Sequence, residues 1–212
     1  PMSFGYLGDT STKIKQQVKN QGVLSISDVY DLEKKGHIGG SLELIESKSI
    51  SGASSAIFDS IKETEYDIHY LQIINYAPVT DSTDIRIRFF ESGTEESASV
   101  YRFAYQFNDD QAGNGQVSDT SETYIRGTFN VGNDTNERGH AYHYFYDLGD
   151  SSKSSFNTMM TTVISNNGRN LNAQGGGVLH QQSTVDQIKL FNASGNFSCT
   201  AKLYGIKKVW VI

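Results

Sequence analysis

The sequence contains very little cysteine or proline, and it has no excess of positive charge. Cys199 is the only cysteine in 212 residues, which excludes an internal disulfide and leaves the fold to burial and hydrogen bonds. Only 2 prolines accompany 20 glycines, a balance that favours many tight turns over a disordered tract. The net charge of −6 offers no basic stripe to neutralise phosphates, so we expect no nucleic-acid partner.

Long hydrophobic runs are missing as well. The longest, such as residues 70–74, are far shorter than the roughly 20 residues that a membrane-spanning helix needs. The N-terminus also lacks the charged-then-apolar pattern of a signal peptide. We therefore expect no membrane insertion and no export by the signal-peptide route.

The sequence that is present changes in character near Gly39-Gly40. The residues before this point are amphipathic and rich in lysine, whereas those after it alternate between apolar and polar residues and are broken by polar turns. A chain of 212 residues suits one all-β domain with an appendage. The sequence therefore predicts an N-terminal helical arm over residues 1–40 and a β-sandwich over residues 41–212.

The arm is expected to form two short helices. The first is capped by one of residues 9–11 and ends near Gly22, and the second begins at Ser27 and ends at Gly36. Helices of about ten residues are marginal in isolation, so their apolar stripes need a surface to bury against. The candidate anchoring residues are the apolar side chains of the arm: Phe4, Tyr6, Leu7, Ile14, Val18, Val29 and Leu32.

Two surfaces can receive this arm. It can pack on the sandwich of its own chain, or it can dock on a neighbouring subunit or a larger assembly. The flexible joint Gly39-Gly40-Ser41 favours docking. The tip of the arm also favours docking, because its apolar side chains Phe4, Tyr6 and Leu7 lie beside glycines and need a partner.

Residues 85–90 give the clearest strand signal of the body, because Ile85, Ile87 and Phe89 alternate with Arg86 and Arg88. Further strands are expected at residues 42–50, 66–77, 99–107, 122–131, 141–148, 156–165, 175–181, 185–191 and 196–206. Residues that tolerate positive φ separate them at Ser92-Gly93, Gly113-Asn114-Gly115, Asn167-Gly168 and Ser194-Gly195. This succession without intervening helices favours a mainly β fold, a two-sheet antiparallel β-sandwich of jelly-roll type.

His140 and His143 lie in a tyrosine-rich segment. Because they are an odd number of residues apart, they face opposite sides of a strand and cannot readily share a metal ion. Tyr142, Tyr144 and Tyr146 share one face of this strand, and His143 lies on the other. The simplest interpretation is a strand that is buried on one side.

Three aspartate pairs are the other candidates for chemistry, at residues 81 and 84, 109 and 110, and 147 and 150. Each pair can supply oxygens to calcium or carboxylates to a glycosidase, but each also lies where aspartate commonly forms turns. No Gly-x-Ser-x-Gly elbow is present, and Gly175-Gly176-Gly177 lacks phosphate-loop spacing and indicates close strand packing or a bulge. We therefore expect a protein that is not an enzyme and that holds no metal ion and no cofactor.

Six phrases carry a family resemblance. They are residues 5–10 (GYLGDT), 14–22 (IKQQVKNQG), 27–32 (SDVYDL), 41–45 (SLELI), 80–89 (TDSTDIRIRF) and 201–206 (AKLYGI). In these phrases the chain resembles virion structural proteins of cyanophages and other marine phages. The resemblance implies a repeated component of the virion, assembled in the host cytoplasm. It also implies a homotrimer, bound to other virion proteins through the arm, with the sandwich displayed outward.

Two compatible functions follow as hypotheses. The first is a non-enzymatic virion structural protein, part of a tail fibre, a baseplate or a capsid decoration. The alternative is a carbohydrate-binding module for attachment to host-surface glycans, because jelly rolls often stack tyrosines on sugar rings. The tyrosines available are Tyr101, Tyr105, Tyr142, Tyr144 and Tyr146, and the last three are the candidate glycan-binding residues. A third hypothesis, a polysaccharide-degrading enzyme, needs two carboxylates in a groove.

Overall fold

The computed structural model describes Tyr30 and residues 42–206. The helical arm predicted for residues 1–40 therefore stays a prediction. Its candidate anchoring residues lie outside the described residues: Phe4, Tyr6, Leu7, Ile14, Val18, Val29 and Leu32. Residues 207–212 lie outside them as well.

Thirteen strands make up the described body. They are β1 (Leu42–Ala53), β2 (Ser55–Phe58), β3 (Ile68–Pro78), β4 (Ile85–Glu91), β5 (Thr94–Glu95), β6 (Tyr101–Asp109), β7 (Gly113–Glu122), β8 (Ile125–Arg126), β9 (Gly139–Tyr146), β10 (Ser155–Ile164), β11 (Asn170–Leu179), β12 (Gln187–Asn192) and β13 (Phe197–Ile206). The prediction of a mainly β body is confirmed. Within the same described residues, no helix has the length and apolar character needed to cross a membrane.

The strands form two antiparallel sheets. The larger has eight strands in the order β1-β13-β3-β9-β10-β11-β6-β7. The smaller has the order β2-β12-β4-β5, and β8 also pairs with β4. Strands that are distant in sequence are thus neighbours in the larger sheet, because β13 lies between β1 and β3.

The core lies between the two sheets. Alternation places one face of each strand inward: Ile85, Ile87 and Phe89 of β4 are fully buried, while the arginines between them are half-buried. Phe89 of the smaller sheet meets Phe145 of the larger sheet edge to face, with ring centroids 5.7 Å apart. Period-two patterning therefore produces a sandwich in which each sheet keeps one outer face for solvent.

Tight turns join several strands where the sequence predicts them. Ser92 and Gly93 both have positive φ, 50° and 75°, and connect β4 to β5 as a two-residue hairpin loop. This is the geometry of the primed turns that match the twist of a hairpin. Gly168 and Gly195 also adopt positive φ between their strands.

The prediction of a strand at residues 122–131 is wrong. Only Ile125–Arg126 form a short strand there, while Gly113–Glu122, predicted to begin with a turn, form the ten-residue strand β7. β7 is the edge of the larger sheet and exposes most of its length, so it carries almost no apolar residues. Hydrophobic periodicity cannot reveal a strand that has little to bury.

Candidate functional site

The outer face of the eight-stranded sheet carries the aromatic residues singled out in the sequence. On β9, His143 and Phe145 are fully buried, whereas Tyr142 and its outward neighbours Tyr144 and Tyr146 lie on the exposed face. The prediction that this strand is buried on one side is confirmed. The sequence also suggested Tyr101 and Tyr105 of β6 as sugar-stacking residues. This prediction is wrong, because both side chains lie in the core.

Four tyrosines from three strands form a tyrosine cluster: Tyr70, Tyr142, Tyr144 and Tyr204. The ring of Tyr70 lies at its centre, with centroid distances of 4.8 Å to Tyr144, 5.9 Å to Tyr204 and 6.1 Å to Tyr142. Gln72 donates a hydrogen bond of 3.1 Å to the Tyr70 hydroxyl. Desolvation, and then the neighbouring phenols, raise the pKa of Tyr144. The cluster therefore presents mutually supported rings on the outer face of the sheet.

A groove of about 750 Å³ begins at this cluster and crosses the sheet from β9 to β7. Its lining residues are Ala104, Tyr105, Gln106, Gln116, Val117, Ser118, Tyr142, Tyr144, Thr158, Met159, Met160, Gln174 and Gly175. None of them is an aspartate, glutamate, lysine or arginine. The described part of the chain therefore gives the groove aromatic, amide and hydroxyl groups but no formal charge.

Strand register explains the shape of the groove. One cross-strand row begins with Tyr204, Tyr70 and Tyr144, and continues with small residues from Thr158 through Gly176, Ala104 and Ser118. Large side chains thus stand on one half of the face, and the other half is low because its residues are small.

The glycine run of β11 keeps this half of the sheet tightly packed. A Cβ atom at Gly176 would lie 2.6 Å from the backbone oxygen of Asn157, and one at Gly175 would overlap the backbone oxygen of Ala104. The close-packing interpretation of these glycines is confirmed, because any larger residue would force the strands to shift.

A second hollow of about 430 Å³ adjoins the groove. It shares Tyr142 and Met160 with the groove and adds Gln72 and His140, among other residues, to the lining. The Tyr142 hydroxyl donates to the sulfur of Met160 at 3.3 Å, so these two side chains form a ridge between the hollows. Tyr146 shares the outer face, but it contacts Thr158 at 3.3 Å and does not line either hollow.

The buried histidine of β9 has a structural role. Nε2 of His143 lies 3.0 Å from the carbonyl oxygen of Gly127, and Nδ1 lies 3.2 Å from the amide nitrogen of Asn157. A neutral ring satisfies both contacts, donating from Nε2 and accepting at Nδ1. Burial lowers the pKa of His143 to about 4, so the ring is neutral at pH 7. In the part of the chain that the structure describes, no group of three or more His, Cys, Asp or Glu could hold a metal ion.

One member of each aspartate pair accepts hydrogen bonds from nearby residues in a turn, as one of the two interpretations predicts. Asp109 accepts hydrogen bonds from the backbone of Gln111 and Ala112. Asp150 accepts from Ser152, and hydrogen bonds with Ser152 and Lys153 hold its pKa below the usual range. Asp81 accepts from the next backbone amide, whereas its partner Asp84 is buried beside Arg86. Each pair thus has a local structural use.

Sequence reasoning found only part of this site. It selected Tyr142 and Tyr144, which line the groove, but missed Tyr70 and Tyr204, which complete the cluster from β3 and β13. It also missed the amides of the groove: Gln106, Gln116 and Gln174. Each of these residues alternates with inward-facing neighbours along its strand. This alternation is a local signal that predicts a position on a solvent-exposed face. Their proximity depends on strand pairing, for which the sequence holds no local signal.

Comparison with known proteins finds no match: neither a protein-family model nor a curated protein matches this chain.

Proposed function

We propose that this protein is a non-enzymatic glycan-binding protein, with the carbohydrate held on the outer face of its eight-stranded sheet. The observation that carries the proposal is the groove of about 750 Å³ that starts at the tyrosine cluster and is lined by amides and hydroxyls. Sugar rings have apolar faces that pack on aromatic rings, and their hydroxyls form hydrogen bonds with side-chain amides. The groove supplies both kinds of contact side by side.

The packing of the tyrosine cluster supports this proposal. Tyr144 rests against Tyr70 at 4.8 Å, and Tyr142 packs edge-on to Tyr144 with centroids 6.1 Å apart. The side chain of Tyr142 still keeps 38% of its surface exposed. Rings held in place before a ligand arrives lose little conformational freedom on binding, which favours affinity.

The strand order supports a finer assignment of the fold, the jelly roll. One half of the larger sheet reads β1-β13-β3-β9, and the smaller sheet reads β2-β12-β4 with β8 beside β4. Successive strands from β1 to β4 thus alternate between the two sheets, as do β8, β9, β12 and β13. This alternation is what two interleaved Greek keys produce. In this assignment, β6, β7, β10 and β11 are an extension of the sheet that builds most of the groove.

We further propose that the module is mounted on a virion, as a tail-fibre, baseplate or capsid-surface component. The resemblance of six phrases to virion proteins of phages supports this setting. Leu42 and Leu44 support it as well, because they begin the edge strand β1 and expose 46% and 52% of their surface. Exposed apolar side chains on an edge strand favour contact with another protein or with further copies in a homotrimer.

Glycan binding is tested with a broad printed glycan set and two matched variants. Tyr144→Ala removes a ring of the cluster and is expected to weaken binding roughly tenfold or more. Phe156→Ala is the control, since Phe156 is a half-exposed aromatic residue of the same face that does not line the groove. Absence of binding by the wild-type protein at high concentration, or equal losses in both variants, would contradict the proposal.

Mounting is tested by particle assembly. A chain without residues 1–40 is expected to fold and to be missing from purified particles, because the arm is proposed as the anchor. Quantitative mass spectrometry of particles assembled with each form gives the copy number. Incorporation of the shortened chain at the normal copy number would show that the anchor lies elsewhere.

A further inference from the structure

The end of the groove away from the tyrosines is lined by a regular group of amides. Gln174, Gln106 and Gln116 are direct cross-strand neighbours on β11, β6 and β7. Two residues further along the same strands, the next row of outward-facing residues repeats the pattern with Asn172, Asn108 and Asn114. We call these six exposed residues the amide cluster.

The amide cluster also lines a hollow of its own. A hollow of about 350 Å³ between β6 and β7 is lined by four of its members together with Phe107 and Gly115. Each amide group carries two donors and one carbonyl acceptor, so neighbouring amides can both donate to and accept from one ligand. Sugar hydroxyls have this same dual character.

The side chains that line the groove and the adjoining hollow restrict the chemical class of the ligand. Among the residues that the structure describes, the lining of the main groove has no acidic or basic side chain, and His140 is the only titratable residue besides tyrosines in the adjoining hollow. Arg102 is exposed on β6 but does not line the groove. An acidic polysaccharide would need cations to pair with its carboxylates or sulfates. The geometry therefore favours an uncharged ligand.

The length of the groove restricts the class further. The lining residues come from five consecutive strands, β9, β10, β11, β6 and β7. Neighbouring strands lie about 4.8 Å apart, so the path across them is about 19 Å long. This length suits several sugar units lying across the strands rather than a single ring.

We propose that the groove binds a linear, uncharged polysaccharide segment lengthwise, with one sugar stacked on the tyrosine cluster and the following sugars hydrogen-bonded to the amide cluster. This inference rests on the proposed glycan-binding function and names the substrate class of the same site. Tyr142 and Tyr144 provide most of the affinity, and the amides select the configuration of the hydroxyls.

The first experiment measures affinity against chain length by calorimetry. The probes are uncharged gluco-, manno- and galacto-oligosaccharides, each from the monosaccharide to the hexasaccharide, and oligogalacturonates of the same lengths. Affinity for one uncharged series is expected to rise with each added sugar and then level off. Equal affinity for the monosaccharide and the hexasaccharide, or tighter binding of the acidic series, would overturn this inference while leaving glycan binding intact.

The second experiment removes amides and keeps the tyrosines. Gln106→Ala and Gln116→Ala are each expected to weaken binding of the best uncharged hexasaccharide by about two- to tenfold, the value of one hydrogen bond. Binding of the disaccharide is expected to change less. Arg102→Ala on the same strand is the control and is expected to bind normally. Hexasaccharide binding that is unchanged in both amide variants would overturn the role of the amide cluster.

A proline-rich peptide is the competing occupant, because such peptides also dock in aromatic grooves. It fits less well, since a polyproline helix offers mainly carbonyl acceptors and leaves the acceptors of the amides unpaired. A proline-rich dodecapeptide is therefore included as a probe. If it binds and no oligosaccharide does, both this inference and the proposed glycan function fail.

Discussion

Tyrosine residues occupy two opposite environments in this sandwich. On β6, Tyr101 and Tyr105 point into the core, whereas on β9 Tyr142 and Tyr144 point outward. The buried hydroxyls have partners: Tyr105 donates to the carbonyl oxygen of Arg126 at 3.2 Å, and Tyr101 donates to that of Glu96 at 3.1 Å. The parity of a residue within its strand therefore decides whether a tyrosine lies in the core or on the outer face that carries the groove.

His143 makes stability depend on pH. The unfolded chain takes up a proton near pH 6.5, whereas burial lowers the pKa of the folded residue to about 4. Between these values the unfolded state binds more protons, so stability falls as the pH drops from 6.5 towards 4. The loss is on the order of 3 kcal/mol. His69, also buried, has its pKa lowered by desolvation and acts in the same direction.

His143→Asn is expected to unfold with a smaller decrease in stability between pH 7 and pH 4.5 than the wild-type protein. Urea unfolding at several pH values measures this difference. His140→Asn, on the exposed face of the same strand, is the control and is expected to keep the wild-type pH dependence. If His143→Asn also keeps the wild-type dependence, the buried imidazole is not its source.

Strands and turns were predictable where local chemistry decides them. The residues of β4 alternate clearly between apolar and charged over Ile85 to Phe89, because one face is buried and the other is partly exposed. β7 escaped prediction because it is a polar edge strand, although it supplies Gln116 and Ser118 to the groove. The least predictable strand thus contributes to the proposed binding face, since a ligand site needs polar residues that the core does not.

The β4–β5 hairpin gives a prediction at the level of an element. Gly93→Ala places a Cβ atom on a residue with φ of 75° and is expected to reduce the free energy of unfolding by about 1 kcal/mol. Ser92→Asn is the matched control, because asparagine is favoured at the first position of such a turn, and it is expected to be neutral or slightly stabilising. Thermal unfolding of both variants measures the difference, and equal stability would show that the turn geometry is not required.

The molecule as a whole is organised by pairings between distant segments. β1 pairs with β13, which in turn pairs with β3, so the beginning and the end of the described body lie side by side. Cys199 lies on this last strand, and burial raises the pKa of its thiol to about 12. A fold built from such non-local contacts forms slowly and needs all of its strands.

Two truncations test this organisation. A chain ending at residue 196 lacks β13, leaves β1 and β3 without their shared neighbour, and is expected not to fold. A chain of residues 41–212 keeps every described strand and is expected to unfold cooperatively. Circular dichroism and urea titration compare the two, and a cooperative transition in the chain without β13 would show that this strand is dispensable.

The sequence by itself determined the class of the fold, the inward and outward sides of its clearest strands, and the residue types available for binding. These properties follow from period-two patterning and turn chemistry, which act over a few neighbouring residues. Only the tertiary structure brought Tyr70, Tyr144 and Tyr204 into one cluster and placed glutamines from three strands along one groove. The physical reason is that cross-strand neighbours are selected by the packing of the whole sandwich, so residues far apart in sequence meet only after the two sheets have closed on their common core.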